Sequence, residues 1–363
     1  MNVSCQTSVA TDGEAQWVEG YFEARGDGAA GRRARPELRY RLYLPAVPRE
    51  GRLPLLVMLH GCRQNALMFA EGTRMNRLAD AHRFAVLYPE QSSDANPLRC
   101  WNWFDHATLE GDGEAGGIAR LVEHLATQHA IDRAGVWVAG MSAGAAMARV
   151  LAVRHADLFV ACAVHSGVMY RGARSALQAL ATLRMGSHMS PEAALRRGRY
   201  PSEQQTRFVP TLVIHGDRDE VVNPLNATQI VEQARLLAVG EKRESLDGPY
   251  ERRISANGRN YTQKDFTRTG AVLIRQIMIE GLAHAWSGGD PRHPFNDAAG
   301  PSAAELIWDF VSHHRRQNLV ADVAAPEKVL EEGSCSRAPY DESRQRSVGL
   351  IARLVNDWRR RLR

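Results

Sequence analysis

A serine, a histidine and a carboxylate stand in this chain where they could act together on an acyl group. The run Gly140-Met141-Ser142-Ala143-Gly144 sets a hydroxyl among small residues. Residues 135–139 before it are apolar and read as a strand, and residues 145–151 after it read as a helix. Ser142 therefore stands at a sharp strand-to-helix turn, the nucleophile elbow, which lifts Oγ clear of a sheet. A serine hydroxyl is a weak nucleophile near neutral pH. It needs a base to take its proton and a third group to orient that base.

The partners are sought in the chain order serine, acid, histidine. An apolar strand at 210–214 runs into His215-Gly216-Asp217-Arg218-Asp219-Glu220, a strand end rich in carboxylates. Asp219 is the preferred orienting acid. Asp217 lies nearer the strand end and suits the turn itself, and Glu220 is the weakest alternative. Of the histidines beyond these acids, His284 directly follows a predicted strand, whereas His293, His313 and His314 lie farther on. It sits in the loop Gly281-Leu282-Ala283-His284-Ala285-Trp286-Ser287-Gly288-Gly289, where glycines let an imidazole be placed freely. The remaining need is a pair of N–H groups for the developing oxyanion, each commonly worth about 3–4 kcal/mol. The apolar segment 53–59 ends in His60-Gly61-Cys62-Arg63-Gln64, which offers the backbone N–H of Cys62; the second donor is the N–H of Ala143.

These residues imply a frame. Segments 16–23 and 38–44 alternate enough to be a strand pair. Segment 53–59 is apolar throughout, as in a strand buried on both faces. A helix follows over 66–82, then strands and helices alternate: 84–88, helix 118–130, the strand before Ser142, 159–164, 210–214, and 272–279 as the last clear strand. This order predicts an α/β protein of the α/β-hydrolase fold, with a mainly parallel central sheet flanked by helices. The expected divisions are an N-terminal segment 1–37 with the first strand, a catalytic domain 38–317, and a tail 318–363. Within the domain, the polar, Arg-rich stretch 170–208 reads as an insertion. In the tail, Leu350, Ile351, Leu354, Val355 and Trp358 have the spacing of an amphipathic helix.

Bulk properties narrow the classes further. A composition 44% hydrophobic and 24% charged suits a globular protein with a sizeable core. The net charge of +5 is mild, and much of the excess sits in Arg32-Arg33-Ala34-Arg35 and the final Arg-rich residues, so no nucleic-acid partner is expected. No stretch is long enough for a membrane span. No signal peptide is visible at the N-terminus, which makes the cytoplasm the default location and secretion the alternative. The cysteines Cys5, Cys62, Cys100, Cys162 and Cys335 have no metal-ligand spacing, and neither a metal nor a cofactor is expected.

With these residues in hand, the chain resembles the polyhydroxyalkanoate (PHB) depolymerase family of α/β-hydrolase esterases. The resemblance rests on Leu59-His60-Gly61-Cys62-Arg63-Gln64, Leu87-Tyr88-Pro89-Glu90-Gln91, Arg99-Cys100-Trp101-Asn102-Trp103-Phe104, the elbow, Val164-His165-Ser166-Gly167, and the loop carrying His284. It implies Ser142, Asp219 and His284 as a catalytic triad, and an ester of a hydroxyalkanoate polymer or oligomer as the substrate. Feruloyl or acetyl esters of polysaccharides are the alternative. Trp101, Trp103 and Trp286 are candidates to line the acyl groove, since aromatic faces offer large apolar area. Cys62 and Cys100 occur in two of the shared motifs, and a disulfide between them would brace the oxyanion loop; in the cytosol they would instead be free thiols. A peptidase of the same fold and a non-catalytic binding protein are the rival readings; oligomeric state is left open.

Overall fold

Apolar runs without polar alternation form the middle of the sheet. The computed structural model describes residues 5–7, 15–23, 37–46, 51–197, 208–240 and 245–316. The strands are β1 (Cys5–Thr7), β2 (Gln16–Glu23), β3 (Glu37–Leu44), β4 (Leu53–Leu59), β5 (Ala85–Glu90), β6 (Ile131–Met141), β7 (Ala161–His165), β8 (Thr211–Gly216), β9 (Asp247–Ala256), β10 (Arg259–Arg268) and β11 (Ala271–Ile279). Among the described residues they form a single eleven-stranded sheet in the order β1-β2-β3-β5-β4-β6-β7-β8-β11-β10-β9. The run from β5 through β4, β6, β7 and β8 to β11 is parallel, and both flanks are antiparallel.

Helices cover both faces, which is why the central strands carry no polar side. They are α1 (Ala66–Thr73), α2 (Met75–His82), α3 (His106–Leu109), α4 (Gly113–Gln128), α5 (Ala143–Arg154), α6 (Ala176–Met185), α7 (Pro191–Arg196), α8 (Leu225–Val239) and α9 (Ala303–Val311). Leu55, Val57 and Leu59 of β4 pack into one apolar layer with Val122 of α4, Val150 of α5 and Ile230 of α8. Their neighbours Leu56 and Met58 face the opposite layer, with Phe69 of α1, Ala79 of α2 and Ile307 of α9. Each fully buried Val, Leu, Ile, Phe or Met among them contributes about 1.5–3 kcal/mol of hydrophobic stabilisation. No helix among the described residues is long and apolar enough to cross a membrane.

Two departures from the sequence reading have physical causes. The helix expected over 66–82 is broken at Arg74, whose left-handed φ of 58° ends α1 and starts α2. The stretch 170–208, with its expected short helical patches, holds α6 and α7, and 198–207 lie outside the described residues. The hairpin of β9 and β10 escaped the reading because β9 is exposed and charged, so it lacks apolar alternation. Its signal was the Asn257-Gly258 pair, both with positive φ (44° and 79°), the chemistry of a two-residue hairpin turn. The predicted tail helix and the Arg32–Arg35 cluster lie outside the described residues.

Candidate active site

β6 delivers Ser142 to the end of the sheet and α5 carries the chain away. Ser142 has φ 57° and ψ −121°, a conformation L residues avoid at a cost of about 1–3 kcal/mol. Its N–H donates to the His165 carbonyl at 3.0 Å, and its own carbonyl accepts from Ala146 N–H at 3.0 Å, which hold the strained turn. Small residues here are a steric requirement. A Cβ on Gly144 would come within 2.1 Å of the Leu59 carbonyl oxygen and 2.5 Å of that of His60. Glycine thus lets α5 start against the end of β4, and the oxyanion loop follows directly. A Cβ on Gly61 would lie 3.5 Å from Ser142 Cβ, so the loop after β4 borders the serine.

In that loop the Gly61 N–H donates to Gln64 Oε1 at 2.9 Å, Arg63 N–H to Leu98 O at 2.7 Å and Gln64 N–H to Gly61 O at 3.3 Å. Neither the Cys62 N–H nor the Ala143 N–H takes part in the hydrogen bonds among the described residues. Ala143 is the first residue of α5, where an N–H has no partner within the helix. Cys62 is joined to Cys100 by a disulfide, which decides between the bridged and the free pair that the motifs left open. Behind the loop, His60 is fully buried and its pKa is pushed down to about 4 by that burial. Its tautomer is set on both sides: Nδ1–H donates to the Gly61 carbonyl at 2.8 Å and Nε2 accepts from Gln91 N–H at 3.1 Å.

The acid and base come from the loops after β8 and β11. These are zipped together: Asp217 N–H donates to Ile279 O at 3.1 Å, Arg218 N–H to Leu282 O at 3.1 Å, and Gly281 N–H to Asp217 Oδ1 at 2.6 Å. A Cβ on Gly216 would come within 2.1 Å of the Leu282 carbonyl oxygen, so this approach also needs glycine. Of the three acids on this loop, Asp219 meets His284: Nδ1–H donates to Asp219 Oδ2 at 2.8 Å, which leaves Nε2 of the ring as an acceptor. Val221 and Val222 N–H groups hold Asp219 Oδ1 at 3.0 and 2.8 Å. Asp217 spends its carboxylate on the turn, and Glu220 is exposed. Burial opposes ionisation of Asp219, but the His284 hydrogen bond and the charges of His284 and His215 outweigh it and hold its pKa below the usual range.

Two histidines the sequence reading left without a role line this corner. His215 Nε2–H donates to the Val222 carbonyl at 2.8 Å and lies 3.6 Å from Asp219 Oδ2. His165 is fully buried, with its pKa driven down to about 3 chiefly by that burial. A polar residue at the end of a buried strand was the available signal for both. The tryptophans require a correction. Trp101, Trp103 and Trp286 are 1%, 3% and 1% exposed, so they do not present a groove. Trp286 stacks on His165 at 5.1 Å and meets Phe69 edge-on at 5.5 Å; Trp101 packs on His60 at 5.5 Å; Trp103 meets Phe104 edge-on at 5.5 Å. Burying so much apolar area is worth more to the fold than leaving it open.

A parallel sheet covered by helices on both faces, with a strained serine between β6 and α5 and a histidine–carboxylate pair beyond β8 and β11, defines an α/β-hydrolase. Comparison of the sequence with known families narrows this: residues 38–243 match the family described as Esterase PHB depolymerase, and the chain belongs to that family. His284 lies beyond the matched stretch. Poly(3-hydroxyalkanoate) depolymerase C of Paucimonas lemoignei is 37% identical over 184 residues, covering 50% of this chain and 44% of that protein. Feruloyl esterase B of Neurospora crassa is 32% identical over 189 residues, covering 49% of this chain and 63% of that one. The chain thus spans about half the length of the curated relatives it matches. Among solved structures, the acetyl xylan esterase from Aspergillus awamori aligns with a TM-score of 0.59 at 22% identity, over 76% of this chain and 94% of that one, which speaks to the fold.

Proposed function

We propose that this chain is a serine esterase that hydrolyses carboxylic esters of hydroxyalkanoate oligomers or polymers through an acyl-enzyme intermediate. The observation that carries the reading is the Asp219–His284 hydrogen bond at 2.8 Å in a chain whose elbow serine is held at φ 57°. Asp219 fixes His284 with its proton on Nδ1, so Nε2 takes the proton of Ser142 Oγ as that oxygen adds to the ester carbonyl. The carbonyl oxygen gains the negative charge and accepts from the Cys62 and Ala143 N–H groups. On collapse the C–O bond to the alcohol breaks, and His284 Nε2–H protonates the leaving oxygen. Water then adds to the acyl-enzyme, giving its proton to His284; collapse releases the acid and returns the proton to Ser142.

The hydroxyalkanoate substrate class is supported by family membership and by the relative from Paucimonas lemoignei. The Neurospora crassa relative, a feruloyl esterase by name, supports feruloyl esters as the second reading. The test has two parts. Ser142→Ala is expected to lower turnover by roughly a million-fold with the fold intact by circular dichroism, since removing the nucleophile costs about that in serine hydrolases. Retained activity sinks the mechanism. Rates on hydroxybutyrate oligomers, amorphous granules, and feruloyl and acetyl esters are then compared; a preference for the aromatic ester would replace the first substrate class with the second.

A further inference from the structure

The carboxylate of Glu114 stands outside the chemistry just described, yet hydrogen bonds from two loop residues converge on it. It sits in the first turn of α4 and is only partly exposed. Gln91 Nε2 donates to Oε1 at 2.7 Å, Asn102 Nδ2 donates to the same oxygen at 2.6 Å, and the Asn102 backbone N–H donates to Oε2 at 2.7 Å. A first-turn acid ordinarily serves the helix dipole. Here it also gathers the loop between β5 and α3, because both donors belong to that loop.

Each of these partners holds the oxyanion loop at one remove. Gln91 N–H donates to His60 Nε2 at 3.1 Å, and His60 Nδ1–H donates to the Gly61 carbonyl at 2.8 Å. Gln91 Nε2 also donates to the Cys100 carbonyl at 3.2 Å, and Cys100 is bonded to Cys62. Asn102 follows Trp101, whose ring packs on His60 at 5.5 Å. The Leu98 carbonyl accepts from Arg63 N–H at 2.7 Å. Residues 91–102 thus form a cradle for residues 60–64, and Glu114 ties that cradle to α4.

We infer that Glu114 is a positioning residue for the oxyanion site, an acceptor-only carboxylate that sets the direction of the Cys62 N–H through Gln91 and Asn102. The inference rests on the ester-hydrolysis reading above. Acceptor character is the essential property. A glutamine at this position would turn an NH2 group toward Gln91 or Asn102, setting donor against donor where a bond had been.

The experiment uses the full chain with p-nitrophenyl butyrate as substrate, active sites counted by a fluorophosphonate, and a trifluoromethyl ketone whose hemiketal carries an oxyanion. Glu114→Gln is expected to lower kcat per active site roughly 10- to 100-fold with KM within about twofold, as misplacement of a reacting group does. Binding of the ketone weakens by the same factor. Asn102→Ala keeps the carboxylate and one of its bonds to Asn102, so it moves kcat the same way by less and carries the test if Glu114→Gln does not fold. A wild-type kcat in both variants overturns the inference, as does a rise in KM with kcat unchanged; a lowered melting temperature alone does not support it. A wild-type chain that takes no fluorophosphonate overturns the ester-hydrolysis reading and this inference together. Fully active variants beside an active wild type overturn this inference alone.

Discussion

Beyond β8 and β11, Asp219 and His284 are held by hydrogen bonds between two strand-end loops; after β4, the loop with Cys62 is held by a covalent bridge and a buried neutral imidazole. In the proposed mechanism the first part moves protons, and it is built of a carboxylate with a lowered pKa and an imidazole whose Nε2 is left as an acceptor. In the same mechanism the second part only aims backbone N–H groups, so nothing in it needs to titrate. A disulfide and a ring that stays neutral suit that task. The division teaches that the two halves of one site answer to different perturbations.

Breaking the proton-moving side has the largest expected effect. Asp219→Asn keeps the shape but lets His284 present the wrong tautomer, and kcat is expected to fall roughly ten-thousand-fold. Asp217→Asn tests the contrast within the same loop: its carboxylate serves the turn, so steady-state rates should stay within about tenfold. Equal losses in the two variants would erase the distinction between the acids.

Next comes the covalent brace. Removing the Cys62–Cys100 bridge by double substitution to serine opens a link between positions separated by 38 residues. It should cost about 4 kcal/mol of stability by loop-closure entropy, read as a lower urea midpoint. The corresponding change on the acid–base side has no covalent bond to lose, so reductant should leave the Asp219–His284 pairing intact.

Acid sharpens the comparison further. The folded-state pKa of His60 is lowered to about 4, against about 6.5 in the unfolded chain. Its contribution is therefore fully present above pH 6.5 and is lost as pH falls toward 4, a change of about 3 kcal/mol. The gap in unfolding free energy between wild type and His60→Gln should narrow by that amount across the range. Asp219, whose pKa is also lowered, keeps its contribution until the pH falls below the unfolded value of about 3.9. The smallest effect is expected at the walls. Trp103→Phe should lower stability while KM stays within about twofold, well short of the tenfold that 1.4 kcal/mol of binding represents.

Much of the candidate site was legible as an expectation because its residues sit at the ends of apolar runs. Ser142 between two glycines, Asp219 past β8 and His284 past β11 follow from chain order and local steric need. The reading went astray where a residue's role depends on what surrounds it. Trp101, Trp103 and Trp286 looked like a groove because an aromatic ring has the same sequence signature in a wall as in a cleft. Glu114 went unread because it precedes the helix expected over 118–130, and nothing along the chain ties it to Gln91, 23 positions away.

The amino-acid sequence by itself determined the class of protein and the order of its parts, because apolar periodicity, turn glycines and chain order are local properties. It also carried the two cysteines and the Asn257-Gly258 turn. Only the tertiary structure decided which of the acids meets His284, which rings are buried, and which N–H groups beside Ser142 are left to donate. Those outcomes depend on distances between segments far apart in the chain, set when β4, β6, β8 and β11 bring their ends together.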